Sequence, residues 1–414
     1  MVDKTHILVI SQYFYPEQFR INDIVSELVN RGYKVTVLTG IPNYPQGKFF
    51  NGYGYFKKRK ANYNGAEIIR IPIIPRGHSS VMIALNYLSF VVSGYLWSKF
   101  TTLKADKVFI YEVSPMTQAL PGVWYAKRRN IPSVLYVTDL WPENVQYAGG
   151  INNTMILDWI GRMVDYIYRK TDLILTSSRS FISAIKACGV PEHKIKFWPQ
   201  YAEEWYMPID QAEINLPFIP QDGKLNLLFA GNIGKAQGLE VLPKAAEILK
   251  EKNVAVRFNI VGDGRFKETL EQMVQDKDVS DYFNFIERQP ATKIPEYMSA
   301  CDAALISLAK NDIFSMTLPA KLPSCLACGV PVIVCADGEI QQVIHEANAG
   351  FCCNAGDYKA FVDIIIKIST MPKESLKELG RNARKYFESH FEKEKLMDDF
   401  EIDLMKAGNN YVRA

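Results

Sequence analysis

Phe229 to Lys250 reads FAGNIGKAQGLEVLPKAAEILK: an apolar run that ends in two close glycines, a lysine, a third glycine and then a helical pattern. A strand that breaks at glycine and restarts as a helix leaves backbone N–H groups unpaired, and such groups favour an anion. Phosphate is the first candidate. Leu225 to Ala230 predicts the strand, Gly231 to Gly238 the loop, and Leu239 to Lys250 an amphipathic helix. Glycines between a strand and a helix also serve tight packing alone, so the loop needs support from the rest of the chain. Other predicted strand ends carry polar residues too: Arg20 and Asn22 in SQYFYPEQFRIND, and Asp139 and Glu143 in VTDLWPENV. For Asp139 a second reading stands beside the chemical one, as the cap of the segment that Pro142 opens.

The elements that must position these residues are strands in an α/β pattern. HILVIS, KVTVLTG, AEIIRIPII, KVFIYEV, SVLYVTDL and DLILTSS alternate with helical stretches in the first half. LNLLFAG, VRFNIVGDG, FNFIER, AALISL and PVIVCAD restart the pattern in the second. Such alternation predicts parallel sheets wrapped by helices, and the length predicts two domains. The join falls near IKFWPQYAEEWYMPIDQAEINLPFIPQDG, giving an N-terminal domain over 1–200 and a C-terminal domain over 201–385. A long, mostly polar helix from about Glu374 to Ala407 is expected to return to the first domain, residues 386–414 forming that last part. Parallel sheets bind ligands beyond the C-terminal ends of their strands, which points to a cleft between the two domains.

At 48% hydrophobic and 22% charged, the composition is that of an ordinary folded protein, and the net charge of +3 gives no argument for a nucleic-acid partner. MVDKTHILVISQYFYPE lacks a signal peptide's basic region, long apolar core and cleavage site, so a cytoplasmic location is expected. The cysteines number seven, an odd count that argues against a disulfide framework. Cys325 and Cys328 form a CxxC in an apolar helical segment with no second spaced pair, which favours packed thiols over zinc or redox chemistry. VMIALNYLSFVVSGYLW, Val81 to Trp97, is the most apolar stretch; a buried helix is favoured over a membrane-dipping one, since Asn86, Ser89, Ser93 and Gly94 interrupt it. GYGYFKKRKANYNG sets Lys57, Lys58, Arg59 and Lys60 among aromatics, which suits either an anionic lipid surface or a solvated loop.

GNIGKAQGLE, VGDGRFKETLE, IPEYMSACDAALIS and the run from LPAKL to ACGVPVI, in this order, resemble the donor-binding half of glycosyltransferase family 4. The first half agrees: YFYPE, RGYKVTVLTG, PNYPQGKFFNGY and VTDLWPENV resemble the branch that builds bacterial O-antigens, capsules and colanic acid. Within it the chain is most similar to the L-fucosamine (N-acetyl-L-fucosamine) transferases. The resemblance implies a GT-B fold, two Rossmann-like doubly wound parallel-sheet domains with an interdomain cleft. It also implies a retaining transfer from a UDP-sugar, N-acetyl-L-fucosamine or another deoxyamino sugar being moved. The acceptor would be a sugar on a polyprenyl diphosphate, met at the inner face of the cytoplasmic membrane by peripheral contact.

By the same resemblance, Gly231, Asn232 and Gly234 approach the diphosphate, with Gln237 in the same loop, and Lys235 neutralises the charge of the leaving group. Arg288 falls near the nucleotide base, Gly262 and Gly264 form the turn beside it, and Arg20 closes over the phosphates. Lys321, with Leu322 and Ser324 after it, meets the donor. Many members carry two glutamates eight positions apart; those positions here are Met316 and Ser324. Met316 suits a donor with an altered hydroxyl pattern, because a buried carboxylate without its hydroxyl partner is costly. Asp139 is assigned to the acceptor side, with Glu143 as its neighbour. Glu339 is a further polar candidate without a role. No Asp-x-Asp metal motif of the kind other transferase folds use is recognised, so metal independence and no cofactor are expected. Three rivals share these residues: a sugar-nucleotide 2-epimerase, a nicotinamide dehydrogenase that lacks the full G-x-G-x-x-G, and a non-catalytic donor-binding subunit.

Overall fold

Short runs of buried apolar residues form two parallel sheets in a computed structural model that describes residues 4–147, 151–210, 214, 216 and 218–408. The chain divides into two units, Met1–Trp198 with Asp399–Ala414, and Pro199–Asp398.

The first unit holds β1 (His6–Ile10), β2 (Lys34–Gly40), β3 (Lys60–Tyr63), β4 (Ala66–Ile71), β5 (Lys107–Glu112), β6 (Ser133–Val137), β7 (Leu173–Thr176) and β8 (Ile195–Phe197). Their order is β3-β4-β2-β1-β5-β6-β7-β8. Every pairing is parallel except that of β3 with β4. β1, β6 and β7 are buried along their whole length, as strands covered by helices on both faces must be. The second unit holds β9 (Leu225–Asn232), β10 (Val256–Asp263), β11 (Phe283–Ile286), β12 (Ala303–Ser307), β13 (Val332–Cys335) and β14 (Gly350–Cys353), ordered β11-β10-β9-β12-β13-β14 and wholly parallel. Phe229, Phe258, Leu242, Leu249 and Phe361 centre its core. Both sheets are doubly wound: the chain order reverses between β1 and β5 in the first, and between β9 and β12 in the second. Those reversals are where the strand ends open a crevice for ligand.

Four expectations change. β3 occupies part of the basic, aromatic segment read as a loop, and Asn64 and Gly65, both at positive φ, form the two-residue turn into β4. The helix containing Val81–Trp97 runs from Ser80 to Phe100 and is mostly uncovered, not buried. The single long C-terminal helix is two, Lys373–His390 and Lys393–Lys406, parted where the Phe391 ring turns into the core. Part of the predicted linker is structured as β8, and its residues 211–213, 215 and 217 lie outside the described residues.

Within the first unit the end of the last helix is held by specific contacts. Phe400 stacks on Trp198 at 4.8 Å and meets the tilted ring of Phe109 at 4.7 Å. Lys107 Nζ donates to the carbonyls of Met405 and Ala407 at 3.1 and 2.8 Å, satisfying acceptors that a helix C-terminus leaves free. Glu401 accepts from Arg31 at 3.0 Å and from the Tyr33 hydroxyl at 2.5 Å.

Candidate active site

In the second unit the loop after β9 differs from its sequence reading in one respect. The strand runs to Asn232, a 3-10 turn follows over Lys235–Gln237, and the helix starts only at Val241. The helix N-terminus is therefore set back from the glycines. In its place the turn presents backbone: among the described residues no acceptor takes the N–H groups of Gly234, Lys235 and Ala236. N–H groups left without an acceptor in this way are available to an anion.

The neighbouring strand ends hold this loop in shape. Ile233 donates to the Asp263 carbonyl at 2.8 Å, and Phe266 donates to that of Ile233 at 3.0 Å. Ala309, just past β12, donates to the Ala236 carbonyl at 2.9 Å, tying the loop across the switch point. Gly262 and Gly264 are needed for this approach: a Cβ would lie 1.9 Å from the Gly231 oxygen at the first and 2.3 Å from the Ile233 oxygen at the second. Gly262→Ala is accordingly expected to destabilise the fold by about 2–4 kcal/mol, because backbone cannot yield as a side chain does. Denaturant unfolding reads this, and an unchanged midpoint would contradict the packing described.

Lys321 opens the helix Lys321–Ala327 and reaches the same loop. Its Nζ donates to Gln237 Oε1 at 2.8 Å and sits 4.1 Å from the centre of the Phe229 ring. A Cβ on Gly231 would come within 3.3 Å of it, so Gly231, Gln237 and Lys321 form one cluster. Desolvation lowers the Lys321 pKa to about 8. Lys235 is exposed, and no side-chain partner engages it among the described residues. The Asn232 amide lies beside Gly234, where a Cβ would stand 2.9 Å from its nitrogen.

Other predicted positions fare differently. Leu322 is fully buried and its N–H donates to the Pro319 carbonyl, which assigns it to packing rather than to a ligand. Ser324 is buried and hydrogen-bonded to Tyr206, whose pKa burial raises to about 12. Met316 ends the short helix Asp312–Met316, and Gly338 packs on that segment so closely that a Cβ would lie 1.9 Å from the Ser315 oxygen. Glu339, buried, begins the next helix directly after Gly338. Arg288 lies exposed just past β11. The Asp276-Lys277-Asp278 triplet does have Asp-x-Asp spacing, which the sequence reading overlooked; Asp278 there is exposed and ion-paired with Lys250 at 2.7 Å. Cys325 and Cys328 are buried, and burial raises the Cys325 thiol to about 12, as suits packed thiols.

The first unit gathers a second set at the ends of β5 and β6. Asp139 Oδ2 accepts the Ser114 N–H at 3.0 Å, so its carboxylate reaches across to the β5 loop, and among the described residues no hydrogen bond joins it to the turn after Pro142. Ser114 Oγ accepts from Trp141 Nε1 at 3.1 Å and from Asn144 at 3.4 Å. Behind it stands Glu112, wholly buried, whose Oε2 accepts the N–H groups of Thr138 and Asp139, both at 3.3 Å. Its Oε1 has no partner among the described residues. Burial, reinforced by the Asp139 charge, pushes the Glu112 carboxyl well above the usual range. Glu143 starts a short helix beyond Asp139, and its charge is felt by the buried Tyr168. Arg20 precedes the helix Ile21–Asn30, and its charge lowers the pKa of Tyr136, which burial raises. Glu112, Ser114 and Trp141 were not singled out by sequence; the one signal was a glutamate ending the apolar run KVFIYE.

Two doubly wound sheets, one in each unit, are the architecture of the GT-B fold. Residues 19–200 match the family model described as Glycosyltransferase Family 4, and residues 212–386 that described as Glycosyl transferases group 1. Each of the two successive parts of the chain thus matches a glycosyltransferase family model. An Escherichia coli K12 relative, "Putative colanic acid biosynthesis glycosyl transferase WcaI", is 26% identical over 422 residues, covering 96% of this chain and 99% of its own. Among solved structures, sucrose-phosphate synthase from Thermosynechococcus elongatus matches with a TM-score of 0.75 at 16% identity, over 96% of this chain and 98% of that one. HepE from Anabaena, solved in complex with UDP and glucose, matches with a TM-score of 0.68 at 14% identity, over 96% and 99%.

Proposed function

We propose that the protein is a retaining glycosyltransferase of bacterial surface polysaccharide assembly, moving a sugar from a UDP-sugar to an acceptor sugar on a polyprenyl diphosphate. The observation that carries the donor reading is the cluster at the end of β9: three N–H groups without an acceptor among the described residues, the exposed Lys235 and the half-buried Lys321. It offers a diphosphate both hydrogen bonds and two positive charges. HepE in complex with UDP supports uridine as the base, and WcaI supports polysaccharide assembly. Met316, where a carboxylate would meet a sugar hydroxyl, suits a deoxyamino sugar such as N-acetyl-L-fucosamine. A cytoplasmic protein at the inner membrane face fits such a donor and acceptor, and no metal is called for.

In this reading the acceptor hydroxyl attacks the anomeric carbon as the bond from that carbon to the UDP oxygen breaks. The hydroxyl proton passes to the departing diphosphate on the same face, so configuration is retained and no protein nucleophile is obligatory. Lys235, Lys321 and the N–H groups stabilise the negative charge as it grows on the leaving oxygen. Asp139, held by the Ser114 N–H and by Glu112 behind its backbone, orients the acceptor hydroxyl or steadies positive charge on the sugar ring.

Asp139→Asn should lower transfer about 100-fold while UDP affinity stays within a few-fold, since the substitution keeps the shape and removes the charge. Initial rates and calorimetry on the same preparation check this, and a collapse of UDP binding would return Asp139 to a structural role. The reading as a whole is tested by incubating the protein with UDP-sugars and membranes bearing lipid-linked acceptor. A lipid-linked product with retained anomeric configuration and release of UDP is expected. Free 2-epimer formed without acceptor would make the protein an epimerase; binding without turnover would make it a donor-binding subunit.

A further inference from the structure

The helix Ser80–Phe100 has its polarity reversed. Its buried stripe is Asn86, Phe90, Gly94 and Ser98, spaced four residues apart on one face, with Ser89 and Ser93 half-buried beside it. These polar side chains are bonded inward. Asn86 donates to the Ile74 carbonyl at 2.6 Å and accepts from Gln12 at 2.7 Å. Ser93 donates to the Pro72 carbonyl at 2.6 Å, and Ser89 accepts the Ile74 N–H at 2.8 Å. Gly94 lets the helix lie against Pro121, where a Cβ would come within 2.3 Å.

The outward stripe is apolar: Val81 is 70% exposed, Leu88 57%, Val92 52%, Leu96 50% and Phe100 70%. A surface helix facing water shows the opposite arrangement, and an apolar stripe roughly 30 Å long is more than an ordinary monomer leaves uncovered. The helix carries no Asp or Glu. Cations gather at its C-terminal end: Lys99 on the helix itself, and Arg128, which donates to the Ser98 carbonyl, with exposed Lys127 beside it.

We propose that this helix is the membrane-seating surface of the protein, lying in the plane of an anionic bilayer with its apolar stripe among the acyl chains. Lys99, Lys127 and Arg128 then meet lipid phosphates at one end. By length and composition alone the helix could cross a membrane, but its inward hydrogen bonds fix it along the first unit, so it lies on the surface. The charge argues for lipid rather than a second copy of the chain, since the cationic end complements lipid phosphates, whereas the same helix of a second copy has no Asp or Glu to offer it. The inference deepens the lipid-linked acceptor reading and rests on it for its purpose, though the interaction itself needs neither donor nor acceptor.

The test is flotation of the purified full chain with vesicles of phosphatidylethanolamine and phosphatidylglycerol, with no nucleotide present. The wild type is expected to float. A triple variant Leu88→Asn, Val92→Asn, Leu96→Asn should lose about 100-fold or more in partitioning, because three exposed apolar side chains no longer enter the bilayer. Lys99→Gln with Lys127→Gln should lose about 10-fold and much of the salt dependence. Flotation of the triple variant equal to that of the wild type would overturn the proposal. So would a lipid-free dimer, seen by light scattering and abolished by the same triple variant, that does not float. UDP titration of these variants separates the two readings: unchanged UDP binding with lost flotation supports the surface alone, and flotation without any UDP binding keeps the surface while refuting the transferase.

Discussion

Lys321→Met is expected to make the protein more stable and a poorer binder of UDP, by about 30-fold in affinity. Lys321 is desolvated, so charging it in the folded state is unfavourable, and its pKa falls from 10.5 to about 8. Between those two values the unfolded chain binds a proton that the folded chain does not, so stability due to this group rises with pH across that window. Below about pH 8 the fold bears the whole desolvation cost. Methionine fills much of the same space over Phe229 without that cost, so the melting temperature should rise by a few degrees near neutral pH. The gain should shrink as pH rises toward 10.5. UDP affinity moves the other way, because a charge-assisted bond to a diphosphate is worth roughly 2 kcal/mol. The wild type should bind UDP more weakly above about pH 8, and the variant should not show that step. A purely structural lysine would give lower stability and no change in the pH profile of binding.

Lys235→Ala is expected to lower kcat by about 100- to 1000-fold, the scale on which loss of one donor to a developing oxyanion is felt, with donor affinity changed only a few-fold. Among the described residues the exposed side chain has no partner and the three adjacent N–H groups have no acceptor. A group that waits for charge to develop stabilises the transition state more than the ground state. Single-turnover rates with saturating UDP-sugar separate the two quantities. An unchanged kcat with weakened binding would confine Lys235 to ground-state recognition.

These two lysines show what a sequence carries and what it withholds. Lys235 is legible locally, since a strand, three glycines and a helix pattern surround it within a few residues. Lys321 is placed at the donor by family resemblance alone; it lies 84 residues from its partner Gln237, and only folding brings it over Phe229. The strands were legible because parallel sheets covered on both faces require unbroken apolar runs. β3 went unread although Asn64-Gly65 is a strong hairpin signal, because the basic residues before it drew the reading toward a loop. The helix Ser80–Phe100 was misread for a clearer reason. Apolar composition says that a surface avoids water, not whether protein or lipid covers it, and only the inward bonds of Asn86 and Ser93 show which face is which. Glu112 was missed because a glutamate that ends a strand ordinarily reaches solvent, whereas here Asp139 and its loop close over it.

The central claim is that the loop after β9, with Lys235 and Lys321, holds the diphosphate of a uridine nucleotide. Calorimetric titration of the purified protein with UDP, GDP, ADP and oxidised nicotinamide dinucleotide tests it directly. Selective binding of UDP, weakened about 30-fold in Lys321→Met, is the predicted result. Binding of the dinucleotide alone, or of none of the four, would mean that the glycines after β9 serve packing and that the site lies elsewhere.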